Sequence, residues 1–387
     1  MKTILGVDTG GTFTDFVLYR DAQISTHKVL STPHAPEEAI LQGLSELGLQ
    51  DSSLDSLYIV HGSTVATNAV LEGKGVSCAF VTNHGLRDML TIGRQTRREL
   101  YNLQPEPPPV PVAREYCLET GGRLAADGSE LEPLTTAELA QLVNTIEKLA
   151  PAAVAINLLF SYLDPRFEKA IEDALAERFF VSRSSSILPE FREYERGITT
   201  WLNAYVGPLV AGYLQRLQQG VPQAAVSVMQ SSGGTIAANQ AGRQAVHMLL
   251  SGPAGGLAAA QFLGTTVERT RLLTFDMGGT STDVAMIDGE LQLTSEGKIA
   301  GYPVAIPMVD MHTIGAGGGS IAYVDSGGVL QVGPESAGAA PGPACYDQGG
   351  VRPTVTDANL ILGRLRTDAF LGGKMMLDAH AAQQAMH

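Results

Sequence analysis

One turn occurs twice in this chain, and that repeat limits what the chain can fold into. Residues 4–24 read ILGVDTGGTFTDFVLYRDAQI and residues 272–292 read LLTFDMGGTSTDVAMIDGELQ, and the two align without a gap. Asp8, Gly10, Gly11, Thr12, Thr14 and Asp15 recur 268 positions later as Asp276, Gly278, Gly279, Thr280, Thr282 and Asp283. Each copy reads as an apolar strand, a glycine turn and a second apolar strand. Copies this far apart point to an internally duplicated lobe, not to a short solenoid repeat. Helical and strand-like segments alternate between them, so the expected class is α/β.

The chemistry of the turn follows from its residue types. Glycines permit tight turns and let backbone N–H groups approach an anion with no β-carbon in the way. Threonine and serine hydroxyls add donors. An aspartate at a strand end suits Mg²⁺, which keeps several waters and takes few carboxylates. A single Asp-x-Gly-Gly hairpin is often no more than a hairpin, with the aspartate shaping the turn. Two copies argue for a clamp on a polyphosphate. Asp8 and Asp276 are then the candidate catalytic and metal-holding carboxylates. Thr9, Gly10, Gly11 and Thr12, with Gly278, Gly279, Thr280 and Ser281, are the candidate phosphate contacts. No GxxxxGK[ST] string occurs, and the turn leads into a strand, which excludes a P-loop and a dinucleotide fingerprint.

Charge and composition narrow the class further. The formal net charge is −14, against a general affinity for nucleic acid or anionic lipid. The 43 glycines in 387 residues exceed the usual ~7% and fall in clusters. Cys78, Cys117 and Cys345 lack any CxxC spacing, so a disulfide framework is not expected and a reducing cytoplasm fits. The N-terminus has no signal-peptide core, and no apolar run approaches the ~20 residues of a membrane span.

Elsewhere the pattern predicts a helix over 35–48, a strand over 57–60 and a helix starting near Ser63. Strands at 78–82 and 152–160 bracket a helix over 135–149. A helix over 164–179 opens on Asp164-Pro165. A long helical stretch over 189–219 is expected to kink or break at Gly207-Pro208. Residues 243–262 read as helical on both sides of Ser251-Gly252-Pro253.

Further strings identify a family. The paired hairpins resemble the two phosphate loops of the actin-like, sugar-kinase and heat-shock ATPase superfamily. HGSTVATNAVLEGKG (61–75), GLRDMLTIGRQTRRELYNL (85–103), EYERGITTWLNAYVGP (193–208), MLLSGPAGG (248–256), TIGAGGGSIAYVD (313–325) and PGPACYDQGGVRPTVTDANLILGRL (341–365) resemble the hydantoinase/oxoprolinase family, A-type subunit. The match runs along nearly the whole chain in order. It implies duplicated βββαβα lobes with ATP in the cleft between them. The sequence regions fall at 1–182 and 183–387, with the second lobe opening near 262. The family continues past residue 387 to a further glycine-rich loop about the adenosine, so the chain reads as truncated, with an incomplete second lobe. GAGGGS at 315–320 is the candidate substitute for that loop.

The resemblance implies an ATP- and Mg²⁺-dependent hydrolase on C–N bonds that opens a cyclic amide such as a hydantoin or 5-oxoproline. An unstrained lactam carbonyl is a poor electrophile, and γ-phosphoryl transfer to its oxygen creates a leaving group. The alternatives are a ketone carboxylase subunit and a nucleotide-binding module without turnover. A B-type hydantoinase subunit is the expected partner.

Other residues are weighed by type. His61 suits proton transfer or substrate binding, or is a structural histidine. Asn68, Arg94, Asp310 and His312 are candidate substrate contacts. Arg94 lies in a polar loop with Gln95, Arg97 and Arg98, which otherwise is a solvated turn. Asp310 and His312 at strand spacing point the same way and suit a metal or a substrate. Gly252, Gly255 and Gly256 serve either ligand contact or close helix packing. Glu193 and Glu195 suit a general base or a charged surface, and Cys345 lacks a local histidine partner.

Overall fold

The computed structural model describes residues 3–10, 13–32, 34–49, 56–96, 101–104, 110–279, 281–338, 341–370 and 375–387. The chain divides into two compact units. The first holds residues up to Gly255 together with Leu293–Val309, and the second holds Gly256–Gln292 and Asp310 onward.

The first unit is built on a six-stranded sheet. β1 (Thr3–Thr9), β2 (Phe13–Arg20) and β3 (Gln23–Leu30) form an antiparallel meander. α1 (Pro36–Glu46) leads to β4 (Leu57–Ser63), which lies parallel to β1. Next comes α2 (Val65–Leu71). A second sheet is inserted here, made of β5 (Cys78–Asn83), β6 (Cys117–Thr120), β7 (Ala153–Ile156) and β8 (Phe180–Arg183) in the order β8-β7-β5-β6. All its strands are parallel, and α3 (Thr136–Leu149) and α4 (Arg166–Leu175) supply its crossovers. The long α5 (Glu193–Gly220) then returns to the first sheet, where β9 (Ala225–Met229) pairs with β4 and β10 (Thr235–Ala237) closes the edge.

Local sequence explains the strongest boundaries. Thr135 and Glu138 form a reciprocal capping box at the start of α3. α5 is buried along most of its length. It runs through Pro208 without ending, contrary to the expected break. Gly207 is where the chain must be bare, since a β-carbon there would stand 2.2 Å from the Phe180 ring. Of the helical structure expected on both sides of Ser251-Gly252-Pro253, the part before is a 3-10 turn over Ala245–Met248, and α6 (Ser251–Thr266) includes the three residues in its first turn. Pro253 falls in the first turn of α6, where its missing N–H costs little.

The second unit repeats the hairpin. β11 (Arg271–Met277) pairs with β12 (Thr282–Asp288), and Asp276 faces Asp283 as Asp8 faces Asp15. The third strand of this meander is interrupted. β13 (Glu290–Leu291) pairs with the end of β12, and β16 (His312–Ile314) pairs with its start. Between them, β14 (Gly297–Ile299) and β15 (Tyr302–Val304) form a hairpin that belongs to the first unit. β3 in the first copy has no such excursion.

The two copies also differ in cover. Leu5, Val7 and Leu18 are 0%, 3% and 3% exposed, in a core shared with Ile40 and Leu44 of α1. Their counterparts Leu273, Phe275 and Met286 are 77%, 65% and 65% exposed. β1 lies between β2 and β4, whereas among the described residues β11 pairs with β12 alone. β17 (Ser320–Val324) and β18 (Leu330–Ser336) form a separate ribbon, followed by α7 (Val355–Ile361) and α8 (Ala379–Met386).

Candidate functional site

Alternation along β1 buries Leu5, Val7 and Thr9 and leaves Asp8 exposed. Asp8 faces Asp15 on β2 and Gly62 on β4. The turn closes when the Gly10 N–H donates to the Phe13 carbonyl at 3.0 Å. The Gly10 carbonyl accepts from Ser31 Oγ at 2.8 Å, and the buried Thr14 hydroxyl lies 3.0 Å from that Oγ.

Two glycines leave room around the Asp8 carboxylate. A β-carbon on Gly62 would lie 3.1 Å from Asp8 Oδ1, and one on Gly252 would lie 4.0 Å from it. Gly252 is brought there by the first turn of α6, because Ser251 Oγ donates to the Ser63 carbonyl at 3.1 Å. The neighbouring Leu250 N–H donates to Thr67 Oγ1 at 2.9 Å. Sequence reasoning missed Gly62, Thr64 and Ser31 altogether. The string HGSTVATN contained the signal for the first two, a glycine and a threonine straight after a strand.

The candidate residues have varied fates. Thr64 donates to the Thr9 carbonyl through its N–H and, at 3.1 Å, its hydroxyl. Asn68 Nδ2 donates to that hydroxyl at 3.3 Å, so Asn68 helps hold the turn. The Thr9 side chain is buried, and its hydroxyl has no partner among the described residues, so it does not face the turn's open side. Gly11 and Thr12 lie outside the described residues, as does Thr280 in the second copy. Gly255 has only Met229 near it and Gly256 has nothing within 4 Å, so packing forces neither to be glycine.

His61 is a core residue, not a surface acid or base. It is fully buried, with Nδ1 3.3 Å from the Val7 carbonyl and Nε2 bonded to the Tyr213 hydroxyl. A carbonyl only accepts, so Nδ1 carries the proton and Nε2 accepts from Tyr213. Burial pushes the imidazole down to about 4 despite that backbone bond, and pushes the Tyr213 phenol well up.

In the second unit, Asp276 is exposed beside the turn. The Gly278 N–H donates to the Ser281 carbonyl at 2.9 Å, repeating the closure at Gly10. Gly318 and Gly319 donate to the Gly278 and Gly279 carbonyls at 2.8 and 2.6 Å. Gly317 must be bare, because a β-carbon there would stand 2.7 Å from the Gly278 oxygen. The GAGGGS string is therefore a buttress under the second turn, and its amides from Ala316 to Ser320 are engaged. Thr282 Oγ1 donates to the Ala316 carbonyl at 2.5 Å. Thr14 faces Val29 and Thr282 faces Ile314, so Ser31 and Ala316 occupy matching places two residues on.

Asp310 precedes β16, so the strand argument that aligned it with the exposed His312 does not hold. No third metal ligand joins them among the described residues. Arg94 is bound bidentately by Glu195 at 2.8 and 2.5 Å, which neutralises it. Burial pushes the Glu195 carboxyl up, but the hydrogen bonds from Arg94 and the backbone, together with the Arg94 and Arg192 charges, outweigh this and hold it below the usual carboxylate range. Glu195 is thus an ion-pair partner and not a raised general base. Cys345 is buried and is pushed up to about 12 by burial and by Asp357. Arg97 and Arg98 lie outside the described residues. No helix among the described residues is long and apolar enough to cross a membrane.

Similarities to known proteins bear on the fold and the family. The chain is 37% identical over 403 residues to caprolactamase subunit alpha of Pseudomonas jessenii, covering 99% of this chain and 57% of that protein. It is 34% identical over 420 residues to the 5-oxoprolinase of Saccharomyces cerevisiae, covering 95% of this chain and 32% of that one. The solved structure of the ATP-dependent caprolactamase from Pseudomonas jessenii superposes with a TM-score of 0.85 at 35% identity, over 99% of this chain and 58% of that one. Nucleotide-free acetone carboxylase superposes with a TM-score of 0.80 at 28% identity, again over 99% and 58%. The chain thus spans less than two thirds of the length of these relatives. The fold is the α/β, actin-like ATPase type that the paired turns imply. Residues 4–179 match the hydantoinase/oxoprolinase N-terminal region and residues 196–387 match hydantoinase/oxoprolinase itself, so the chain belongs to the hydantoinase/oxoprolinase family.

Proposed function

We propose that this chain is the ATP-handling part of a cytoplasmic enzyme that opens a cyclic amide of the hydantoin or 5-oxoproline type by hydrolysis. The observation that carries this reading is the repeated acidic turn. Asp8 and Asp276 stand exposed at the same register position of matching hairpins. Residues 1–182 and 183–387 each contribute one such turn. Relatives named for ATP-dependent caprolactam and 5-oxoproline chemistry support the substrate class.

The residues present fit Mg²⁺ and a polyphosphate. Gly62 and Gly252 keep β-carbons away from the Asp8 carboxylate, which leaves space for an ion that retains its waters. Asp8 and Asp276 would hold the metal. Gly10, Gly11, Thr12, Gly279, Thr280 and Ser281 would line the phosphates. When bound, ATP supplies the phosphoryl group that turns an unreactive amide oxygen into a leaving group. The chain's own work is positioning. Ser31 and Thr64 fix the first turn from behind, Gly318 and Gly319 fix the second, and Asn68 fixes Thr64. Such preorganised backbone needs no rearrangement when charge develops.

A B-type hydantoinase subunit is the proposed partner, since the caprolactamase relative is named as a subunit. A second reading, ATP-dependent ketone carboxylation, is favoured by the likeness to acetone carboxylase. The test is ADP release by the chain assembled with its B-type partner. ADP and ring-opened acid formed together from 5-oxoproline or caprolactam support the first reading. ADP release that requires a ketone and bicarbonate supports the second. Ring opening without ATP consumption contradicts both.

A further inference from the structure

One row of side chains crosses the first meander on a single face. Asp8 on β1 stands opposite Asp15 on β2, and Asp15 stands opposite Lys28 on β3. Directly opposed residues of an antiparallel pair project to the same side, with β-carbons roughly 4.5–5.5 Å apart. The adjacent row of Thr9, Thr14 and Val29 points the other way and is buried. Lys28 Nζ lies 2.5 Å from Asp15 Oδ1, and both side chains are partly exposed. The same ammonium lies 5.0 Å from the centre of the Phe13 ring. The Phe13 carbonyl closes the first turn, so a cation is held beside that turn.

The second copy repeats the row with one change. Asp276 stands opposite Asp283, and Asp283 stands opposite Thr313 on β16. Thr313 Oγ1 donates to Asp283 Oδ1 at 2.7 Å. A hydroxyl thus suffices to tie the third strand to that aspartate. The charge of Lys28 is not needed for the same task in the first copy. What the charge alone changes is the electrostatics of the face. Two directly opposed carboxylates repel each other, and they repel any further anion brought to that face. Lys28 cancels one of the two.

We propose that Lys28 is a positioning residue of the first acidic turn. By neutralising Asp15, it admits an anionic polyphosphate to the face on which Asp8 stands. The inference rests on the reading that the paired turns hold Mg²⁺-ATP, and it adds a group that lies outside the glycine turn. Lys28 acts through Asp15 and needs no contact with phosphate.

The test is calorimetric titration of the 387-residue chain with Mg²⁺-ATP. Lys28→Met keeps the apolar stem and removes the charge, and it should weaken binding ~5-fold, the upper end for one exposed charge. Lys28→Arg should retain the affinity of the unaltered chain. Asp15→Asn should bind at least as tightly as the unaltered chain, and Lys28→Met combined with Asp15→Asn should restore its affinity. An ion pair that merely held β2 to β3 would give equal losses for Lys28→Met and Asp15→Asn, and that result overturns the proposal. So does a loss in the double variant as large as in Lys28→Met, which would make Lys28 a direct phosphate contact. Both of those outcomes leave the ATP reading standing. Absence of binding by the unaltered chain overturns that reading, and this inference with it.

Discussion

The Oδ1 atom of Asp8 lies 3.1 Å from the point where a β-carbon would stand on Gly62. The two residues face each other across β1 and β4, so the separation is set by the sheet. Gly62 is outside the left-handed region, and alanine there leaves the backbone unstrained. Gly62→Ala is therefore expected to displace the carboxylate without unfolding the chain. Affinity for Mg²⁺-ATP should fall ~10-fold, the scale of one charge-assisted contact, with an unchanged melting temperature. Titration with a fluorescent nucleotide checks this. Unaltered affinity would separate Asp8 from the metal.

His61 gives the chain a pH-dependent stability with a definite sign. Burial lowers its pKa from 6.5 to about 4 in the folded chain. Between those values the unfolded chain binds a proton here that the folded chain does not. Its contribution is complete above about pH 6.5 and is lost as pH falls toward 4, with ~3 kcal/mol at stake. His61→Gln removes this dependence. The gap between urea midpoints at pH 7.5 and pH 5 should be larger in the wild type than in the variant, and equal gaps would contradict the assignment. Tyr213→Phe leaves Nε2 unpaired and should cost ~1–3 kcal/mol at neutral pH.

His61 also shows where the sequence stops being informative. The acidic turns were legible because each hairpin is local: Asp8 meets Asp15 within one turn, and the pattern repeats. The partner of His61 is Tyr213, on a helix 152 positions away. Glu195, which neutralises Arg94, is 101 positions away. No short window contains either pair. The role of GAGGGS was hidden for the same reason, since its amides meet carbonyls of a turn that begins at Gly278. Pro208 misled because the interior of α5 is held by packing against the sheets, which outweighs the local preference of proline. The β14–β15 hairpin was missed because strands of three residues carry too little alternation to read.

The cysteines are expected to be inert. Burial pushes Cys78 up to about 12 and Cys117 up to about 11, and Cys345 stands at about 12. A thiol reagent such as DTNB should label none of the three in the native chain at pH 8 and all three in denaturant. Rapid native labelling of Cys345 would reopen the case for a nucleophile.

The unequal cover of the two hairpins has measurable consequences. Leu5→Ala removes a fully buried side chain and should cost ~2–5 kcal/mol. Its counterpart Leu273→Ala, at an exposed position, should cost under ~0.5 kcal/mol in this chain. Urea unfolding of both variants tests the difference. A cost at Leu273 matching that at Leu5 would mean that this face is covered.

The proposed role of the acidic turns is to hold a metal–triphosphate, and calorimetry of ATP with Mg²⁺ tests that role. The chain should bind in the micromolar range. Asp8→Ala and Asp276→Ala should each lose binding, and omission of Mg²⁺ should do the same. Absence of binding by the unaltered chain, or binding by both variants as tight as that of the unaltered chain, would contradict this role.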